Sequence, residues 1–218
     1  MTSSEYKLLS VEQFTNAALR YQKGWVPLRR KSRLDASVLE LLERRPFSNL
    51  LDTGCGTGSM IEELAALFPD SRFTGIDLTP RMVTIARRRQ LPNAEFLAGD
   101  SESLQFSDAC FDVVTCINSF RYYPNPDKFF ADVNRVLRPG GYLVLLDHTA
   151  GPPVLQLMNR VLIPLSHIAG FGGVRWTNPA EIQSLCAAYG LLPRRLERQR
   201  HLRLILVAEK PTASRSTS

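Results

Sequence analysis

Three glycines at alternate positions, Gly54, Gly56 and Gly58, follow a short apolar run that ends at Asp52. Glycine has no Cβ, so the backbone here can approach a bulky ligand closely. A helix predicted to begin near Ser59 would turn its free amide groups towards an anionic part of that ligand. The spacing is G-x-G-x-G, whereas nicotinamide dinucleotide enzymes use G-x-G-x-x-G, so the pattern disfavours that cofactor. Taken alone, the triplet is also typical of a tight turn.

The segments that would position this loop alternate between strand and helix. Amphipathic helical patterns separate apolar runs that are typical of buried strands. Two further short strands follow the last helix, and the few residues between them favour a hairpin. The seven predicted strands are 49–54, 72–78, 94–100, 111–117, 141–148, 191–199 and 201–210. We therefore predict an α/β fold, a doubly wound Rossmann-like seven-stranded sheet, mostly parallel with an antiparallel C-terminal hairpin and helices on both faces.

The pattern divides the chain into a cover, a core and a tail. Residues 1–48 are predicted to form an N-terminal helical segment that covers the site, and residues 49–210 the core. Within the core, residues 149–179 are inserted between the fifth strand and the last helix, where we expect a substrate lid. Residues 211–218 are polar and are predicted to be disordered.

Charge and cysteine content exclude several classes of protein. The net charge is +6, but no aromatic residues interleave the basic clusters and no nucleic-acid module is recognisable, so a nucleic-acid partner is disfavoured. Attraction to an anionic substrate or a membrane surface stays open. The four cysteines form no C-x-x-C pair and no His stands at ligand spacing, so neither a disulfide framework nor a zinc site is indicated. With no apolar run of about 18 residues and no secretion signal, we expect a cytoplasmic protein.

The glycine stretch "DTGCGTG" resembles motif I of the class I S-adenosylmethionine-dependent methyltransferases. The resemblance continues through "FTGIDLTPRMVTIARRR" and "FLAGDSESLQFSDACFDVV" to "RVLRPGG". Residues from about 49 to 148 are similar, in order and spacing, to the branch that includes ubiquinone and menaquinone biosynthesis methyltransferases and related small-molecule methyltransferases.

The resemblance implies an S-adenosylmethionine site at the strand ends, S-adenosylhomocysteine as product, and no metal. The glycine loop would line the methionine and ribose, and Asp77 would accept hydrogen bonds from both ribose hydroxyls. Asp52 and Ser101 could instead cap local turns. The aromatic residue assigned to Tyr21 is followed by Gln22, where the family usually has Asp. The implied cofactor-binding positions are Asp52, Gly54, Gly56, Gly58, Asp77, Leu78, Met82, Asp100, Ser101, Asn118 and Tyr21.

A methyl group on a sulfonium is already activated, so the protein has mainly to align the acceptor and exclude water. A base would help with a phenol, thiol or protonated amine. His148, directly after the fifth strand, is the candidate general base; the alternative is a His that bonds to its own loop. Arg121, Tyr122 and Tyr123 follow the fourth strand and are further candidates.

The insertion carries an apolar helical stripe: Val154, Leu157, Met158, Val161, Leu162 and Leu165. As the inner face of a lid it would suit an apolar or aromatic acceptor. It could equally pack on the sheet, or make peripheral contact with a membrane. We therefore expect a methyltransferase acting on a small metabolite at an O, C or N atom. The alternatives are a protein or RNA methyltransferase and a non-catalytic S-adenosylmethionine-binding protein. The oligomeric state is left open.

Overall fold

The computed structural model describes residues 1–22, 36–199 and 202–212. One seven-stranded sheet runs through it in the order β3-β2-β1-β4-β5-β7-β6. Strands β1 to β5 are parallel, and β7 is antiparallel to both β5 and β6. The strands are β1 Asn49–Thr53, β2 Arg72–Asp77, β3 Ala94–Ala98, β4 Phe111–Ile117, β5 Leu137–His148, β6 Leu192–Gln199 and β7 Arg203–Glu209. The predicted fold class is confirmed.

The helices cover both faces of this sheet. Strand residues alternate between two cores, so Leu50 faces the core formed with α2, α3 and α4, whereas Leu51 faces the core formed with α5 and α8. Burial on both faces explains why these strands read as continuous apolar runs. The helices are α1 Ser3–Gln22, α2 Ala36–Arg44, α3 Ser59–Leu67, α4 Pro80–Arg87, α5 Pro126–Val136, α6 Pro152–Leu157, α7 Ile163–Ile168 and α8 Pro179–Ala188.

The fifth strand begins earlier than the sequence predicts. Helix α5 ends at Val136, and β5 starts at Leu137 instead of Gly141. Pro139 disfavours helical geometry at the residue before it, so the chain becomes extended ahead of the Pro-Gly-Gly turn. The pairing with β4 is irregular there, with a register shift between Phe111 and Val113.

The inserted segment between β5 and α8 is a broken helix. Helix α6 continues into a π-helical turn, Met158–Leu162, which leads directly into α7. Pro164 has no N–H to donate to the carbonyl of Arg160 and its ring crowds that carbonyl, which accounts for the wider turn just before it. The extra residue per turn rotates the following side chains relative to a regular α-helix.

The order of the strands places a crevice beside β1. Strand β1 is paired with β2 on one side and with β4 on the other, so the chain winds away from β1 in both directions. Ligands of open α/β sheets bind at such a switch point, beyond the carboxyl ends of the strands. The glycine turn, Asp77 and Asn118 all lie at this edge of the sheet.

Candidate functional site

A cavity of about 140 Å³ lies at the carboxyl ends of β1 to β4, beneath helix α1. We call it the first cavity. Most of the predicted cofactor-binding positions line it, together with residues from α1 and from the loop after β4. Its lining residues are Lys7, Ser10, Phe14, Gly54, Gly56, Asp77, Leu78, Thr79, Met82, Asp100, Ser101, Asn118, Ser119, Tyr122 and Tyr123.

The glycine turn is held open by backbone hydrogen bonds. Gly54 and Gly56 have left-handed φ values of 73° and 55°, which glycine adopts without strain. The Gly54 amide donates to the carbonyl of Ile76 at 2.8 Å. A Cβ on Gly54 would lie 2.4 Å from Cβ of Ser119, whereas a Cβ on Gly56 would meet no atom within 4 Å. The turn is therefore packed at Gly54 and open at Gly56.

Asp77 joins this turn to the loop that follows β2. Its Oδ2 accepts the Gly56 amide at 2.9 Å, and its Oδ1 accepts the Thr79 amide at 2.8 Å. Burial raises the pKa of Asp77, while these amide bonds act in the opposite direction. Each carboxylate oxygen has a further lone pair, so the group can also accept hydrogen bonds from a vicinal diol.

Two predicted positions lie behind the first cavity instead of lining it. Asp52 is 3% exposed and accepts a 2.9 Å hydrogen bond from the Thr115 hydroxyl. Burial raises its pKa to about 7. Gly58 caps α3, and a Cβ there would lie 2.7 Å from the Phe96 ring. Gly58 thus lets α3 pack closely on β3, and its predicted part in cofactor binding stays a prediction. The side chain of Tyr21 lies outside the described residues.

Lys7, on α1, is a cavity residue that sequence reasoning missed. Its ammonium lies 2.6 Å from Oδ2 of Asp100 and 2.5 Å from Oε2 of Glu102. Burial would lower the pKa of Lys7, but the two carboxylates outweigh it and the pKa is raised. The Glu102 side chain is 1% exposed, and it also accepts from the Asn125 side chain at 2.9 Å. Helix α1 is therefore tied to the end of the cavity that the resemblance assigns to adenine.

A second cavity of about 280 Å³ lies on the other side of Tyr122. Tyr122 lines both cavities, and its ring is held edge-on by Phe14 at 5.0 Å between centroids. The guanidinium of Arg121 lies 4.8 Å from the same ring. The lining residues are Arg121, Tyr122, Ile163, Ser166, Phe171, Gly173, Arg175 and Trp176. Aromatic and aliphatic side chains with a few polar groups suit a small apolar ligand.

His148 is engaged by its neighbours. Its Nδ1 lies 3.1 Å from Nη1 of Arg121 and 3.3 Å from Oδ1 of Asp147, and its ring lies 5.4 Å from that of Trp176. A guanidinium can only donate, so an Nδ1 that accepts from Arg121 leaves the proton of neutral His148 on Nε2 and no free lone pair. The ring is not among the residues that line either cavity. The predicted role as general base stays a prediction, and this arrangement does not favour it.

Arg121 also neutralises a buried carboxylate. Asp147 is 4% exposed. Its carboxylate accepts two hydrogen bonds from Arg121, one from Nη1 at 2.7 Å and one from the backbone amide at 2.8 Å. Burial alone would raise the pKa of Asp147, but the charge of Arg121 and the hydrogen bonds from its backbone amide and guanidinium lower it. The ion pair fixes the loop after β4 against the end of β5, and so positions Tyr122 between the cavities.

Comparisons with known proteins agree with this geometry. Residues 51–145 match a family model described as a methyltransferase domain. Over 138 residues the chain is 36% identical to phthiotriol/phenolphthiotriol dimycocerosates methyltransferase 1 of Mycobacterium ulcerans, covering 57% of this chain and 49% of that protein. Over 99 residues it is 40% identical to a fatty-acid O-methyltransferase of Mycolicibacterium smegmatis, covering 45% of this chain and 36% of that protein.

The fold is shared with a solved SAM-dependent methyltransferase of Methanosarcina mazei. The TM-score is 0.67 at 22% identity, over 82% of this chain and 99% of that one. Residues 51–145 are thus similar to a methyltransferase domain, and the sheet has the fold of a solved SAM-dependent methyltransferase, in agreement with the resemblance seen in the sequence. The aligned segments span about half or less of these curated relatives.

Among the described residues, no helix is long and apolar enough to cross a bilayer. In the same part of the chain, no group of three or more His, Cys, Asp or Glu side chains is arranged to hold a metal ion.

Proposed function

We propose that this chain transfers a methyl group from S-adenosylmethionine to a small apolar, lipid-like acceptor. The observation that carries the proposal is the pair of cavities that share Tyr122 as a wall. One has the glycine turn and carboxylates that suit the cofactor, and the other is lined by apolar and aromatic side chains. Two relatives named for lipid-like substrates support this class of acceptor.

The residues of the first cavity fit the cofactor. The open backbone at Gly56 leaves room for the methionine part, and Asp77 offers lone pairs to the ribose hydroxyls. Leu78 and Met82 supply an apolar surface for adenine. Asp100 and Ser101 would accept from its exocyclic amine, and Asn118 would face the methionine end. Asp52 would act on the methionine ammonium from behind the turn, through water.

When bound, S-adenosylmethionine supplies a methyl group that its positive sulfur has already activated. The protein then has to hold the acceptor atom in line with that methyl group and keep water out. Tyr122, fixed by Phe14 and Arg121, lies between the cavities and would orient both molecules. An acceptor that is already ionised, such as a carboxylate, would need no base, which is compatible with the occupied Nδ1 of His148.

The alternative of a protein or RNA substrate receives no support from the described basic clusters. Arg87 and Arg88 are exposed on α4, while Arg194 and Arg195 lie on β6 and pair with Glu209 and Glu197. In the part of the chain that the structure describes, Lys7 is the one Lys or Arg that lines the first cavity. The basic cluster at 27–33 lies outside the described residues. A cytoplasmic location stays a prediction.

Calorimetric titration with S-adenosylmethionine tests the cofactor site. We expect Asp77→Asn to weaken binding about tenfold or more, because the neutral amide loses one of the two acceptors that the ribose and the loop share. Asp70→Asn is the matched control, because Asp70 is exposed and far from both cavities. Thermal unfolding of both variants checks that the fold is retained. Equal affinities for Asp77→Asn and wild type would reject the ribose assignment.

Labelled transfer tests the acceptor class. The purified chain is incubated with methyl-labelled S-adenosylmethionine and a cell extract, and the label is separated into organic-soluble, protein and nucleic-acid fractions. We expect label in the organic-soluble fraction, from which the acceptor can be identified. Label confined to protein or RNA would overturn the small-molecule proposal and favour the alternative.

A further inference from the structure

Exposed apolar side chains are concentrated on the outer side of the broken helix. Among the described residues, twelve large apolar side chains are exposed, and seven of them lie between residues 154 and 171. Ile168 is 85% exposed and Phe171 is 51% exposed. These seven residues form what we call the outer face: Val154, Leu157, Val161, Leu162, Leu165, Ile168 and Phe171. Single exposed apolar residues are ordinary, but a contiguous set marks a contact surface.

The apolar stripe of the insertion, for which the sequence leaves a lid face, packing on the sheet and membrane contact open, points outwards. Five of its members, Val154, Leu157, Val161, Leu162 and Leu165, are exposed, and the side chain that turns inwards is Ile163, which is buried and lines the second cavity. The stripe stays exposed on both sides of the π turn that precedes Pro164. The apolar stripe is thus left without a partner among the described residues.

Within the segment that carries the outer face, the charged side chains have one sign. Residues 148–180 contain no Asp or Glu, but they do contain Arg160 and Arg175. Arg160 and Arg198 line one groove beside α6, and neither makes an ion pair with the described part of the chain. An apolar helical face flanked by unpaired arginines complements a surface with an apolar interior and anionic headgroups.

We propose that the outer face docks on an anionic lipid membrane, with Arg160 and Arg198 at the headgroups. A second copy of the chain fits less well, because self-complementary pairing would bring together two copies of a segment, 148–180, that carries arginines and no Asp or Glu. Phe171 belongs to the outer face and also lines the second cavity. Docking would therefore place the entrance of that cavity at the lipid surface. This last step rests on the proposed function.

Vesicle flotation of the purified chain, without cofactor or acceptor, tests the proposal. Vesicles of phosphatidylcholine alone are compared with vesicles that also contain phosphatidylglycerol. We expect binding to the mixed vesicles that decreases as salt is raised. The double variant Leu157→Gln/Leu165→Gln should bind at least about tenfold more weakly, because two exposed leucines no longer enter the lipid. Arg160→Gln should bind about fivefold more weakly, the usual effect of one basic residue near an anionic surface.

Matched controls separate docking from general effects. Leu67→Gln removes an equally exposed leucine on α3, and Arg72→Gln removes an exposed arginine on β2; both should bind as wild type does. Thermal unfolding checks that every variant is folded. The proposal is overturned if wild type does not bind the mixed vesicles, or if the double variant binds as well as Leu67→Gln. The outer face would instead be assigned to a second copy if wild type bound no vesicles, formed a dimer in light scattering, and lost that dimer in Leu165→Gln. The vesicle experiment does not measure methyl transfer. A failure of the proposed function can therefore be distinguished from a failure of docking.

Discussion

Alanine at Gly56 should separate cofactor binding from folding, and alanine at Gly54 is the matched comparison. Both glycines have left-handed φ values, 55° and 73° respectively. An alanine in that region costs about 1–2 kcal/mol, and part of this is offset because alanine restricts the unfolded chain. The two variants therefore share a backbone cost of about 1 kcal/mol, and any difference between them arises from the space around the new methyl group.

That space differs sharply between the two positions. At Gly54 the methyl carbon would lie 2.4 Å from Cβ and 2.6 Å from Oγ of Ser119, well inside van der Waals contact. Overpacking of this kind adds about 1–3 kcal/mol. At Gly56 the methyl group would meet no atom within 4 Å. We expect the free energy of unfolding to fall by about 1 kcal/mol in Gly56→Ala and by about 3 kcal/mol in Gly54→Ala.

Urea denaturation measures the two stabilities, and calorimetric titration with S-adenosylmethionine measures affinity. Gly56 lines the first cavity, so its methyl group should occupy space that the cofactor needs. We expect Gly56→Ala to keep most of its stability and to lose at least about tenfold in affinity. Wild-type affinity in Gly56→Ala would refute the close approach of cofactor and backbone. Equal stability of the two variants would refute the steric argument at Gly54.

Two further predictions concern titratable groups. Because burial raises the pKa of Asp52 to about 7, the folded protein holds a proton that the unfolded chain, with a pKa near 3.8, has released. This group therefore lowers stability progressively as pH rises from about 4 to 7, and the loss persists above 7. Asp52→Asn should remove that dependence, and its gain in stability over wild type in denaturant unfolding should be larger at pH 8 than at pH 5, by at most about 3 kcal/mol. His148→Ala should lower turnover if His148 is the base, while titration with the cofactor shows unchanged affinity; unchanged turnover would remove it from the mechanism.

The strands and the glycine turn were predictable because their signals are local. Leu50 and Leu51 lie in an apolar run since both faces of β1 are covered. Asp77 and Asn118 could be placed because parallel strands end at one edge, where chain order alone brings them together. The same argument placed most of the residues that line the first cavity.

The rest of the site depends on contacts between distant segments. Lys7 is 93 residues from Asp100 along the chain, and the apolar pattern of α1 is too weak to show which side faces the cavity. A sequence likewise does not reveal that Phe96 packs against Gly58. The sequence shows the apolar stripe but not which surface covers it, because exposure depends on how the segment packs on distant parts of the chain.

Helix α1 touches both halves of the site at once. Lys7 is bound to Asp100 beside the first cavity, while the Ser10 hydroxyl donates to the Gly172 carbonyl at 3.1 Å and the Gly172 amide donates to the Gln13 side chain at 2.8 Å. The position of one helix thus enters both binding equilibria. A ligand that favours one position of α1 must change the affinity for the other ligand, and the reciprocal effect must have the same size. Cofactor and acceptor would then bind as thermodynamically coupled partners, and titration with one in the presence of the other would measure that coupling.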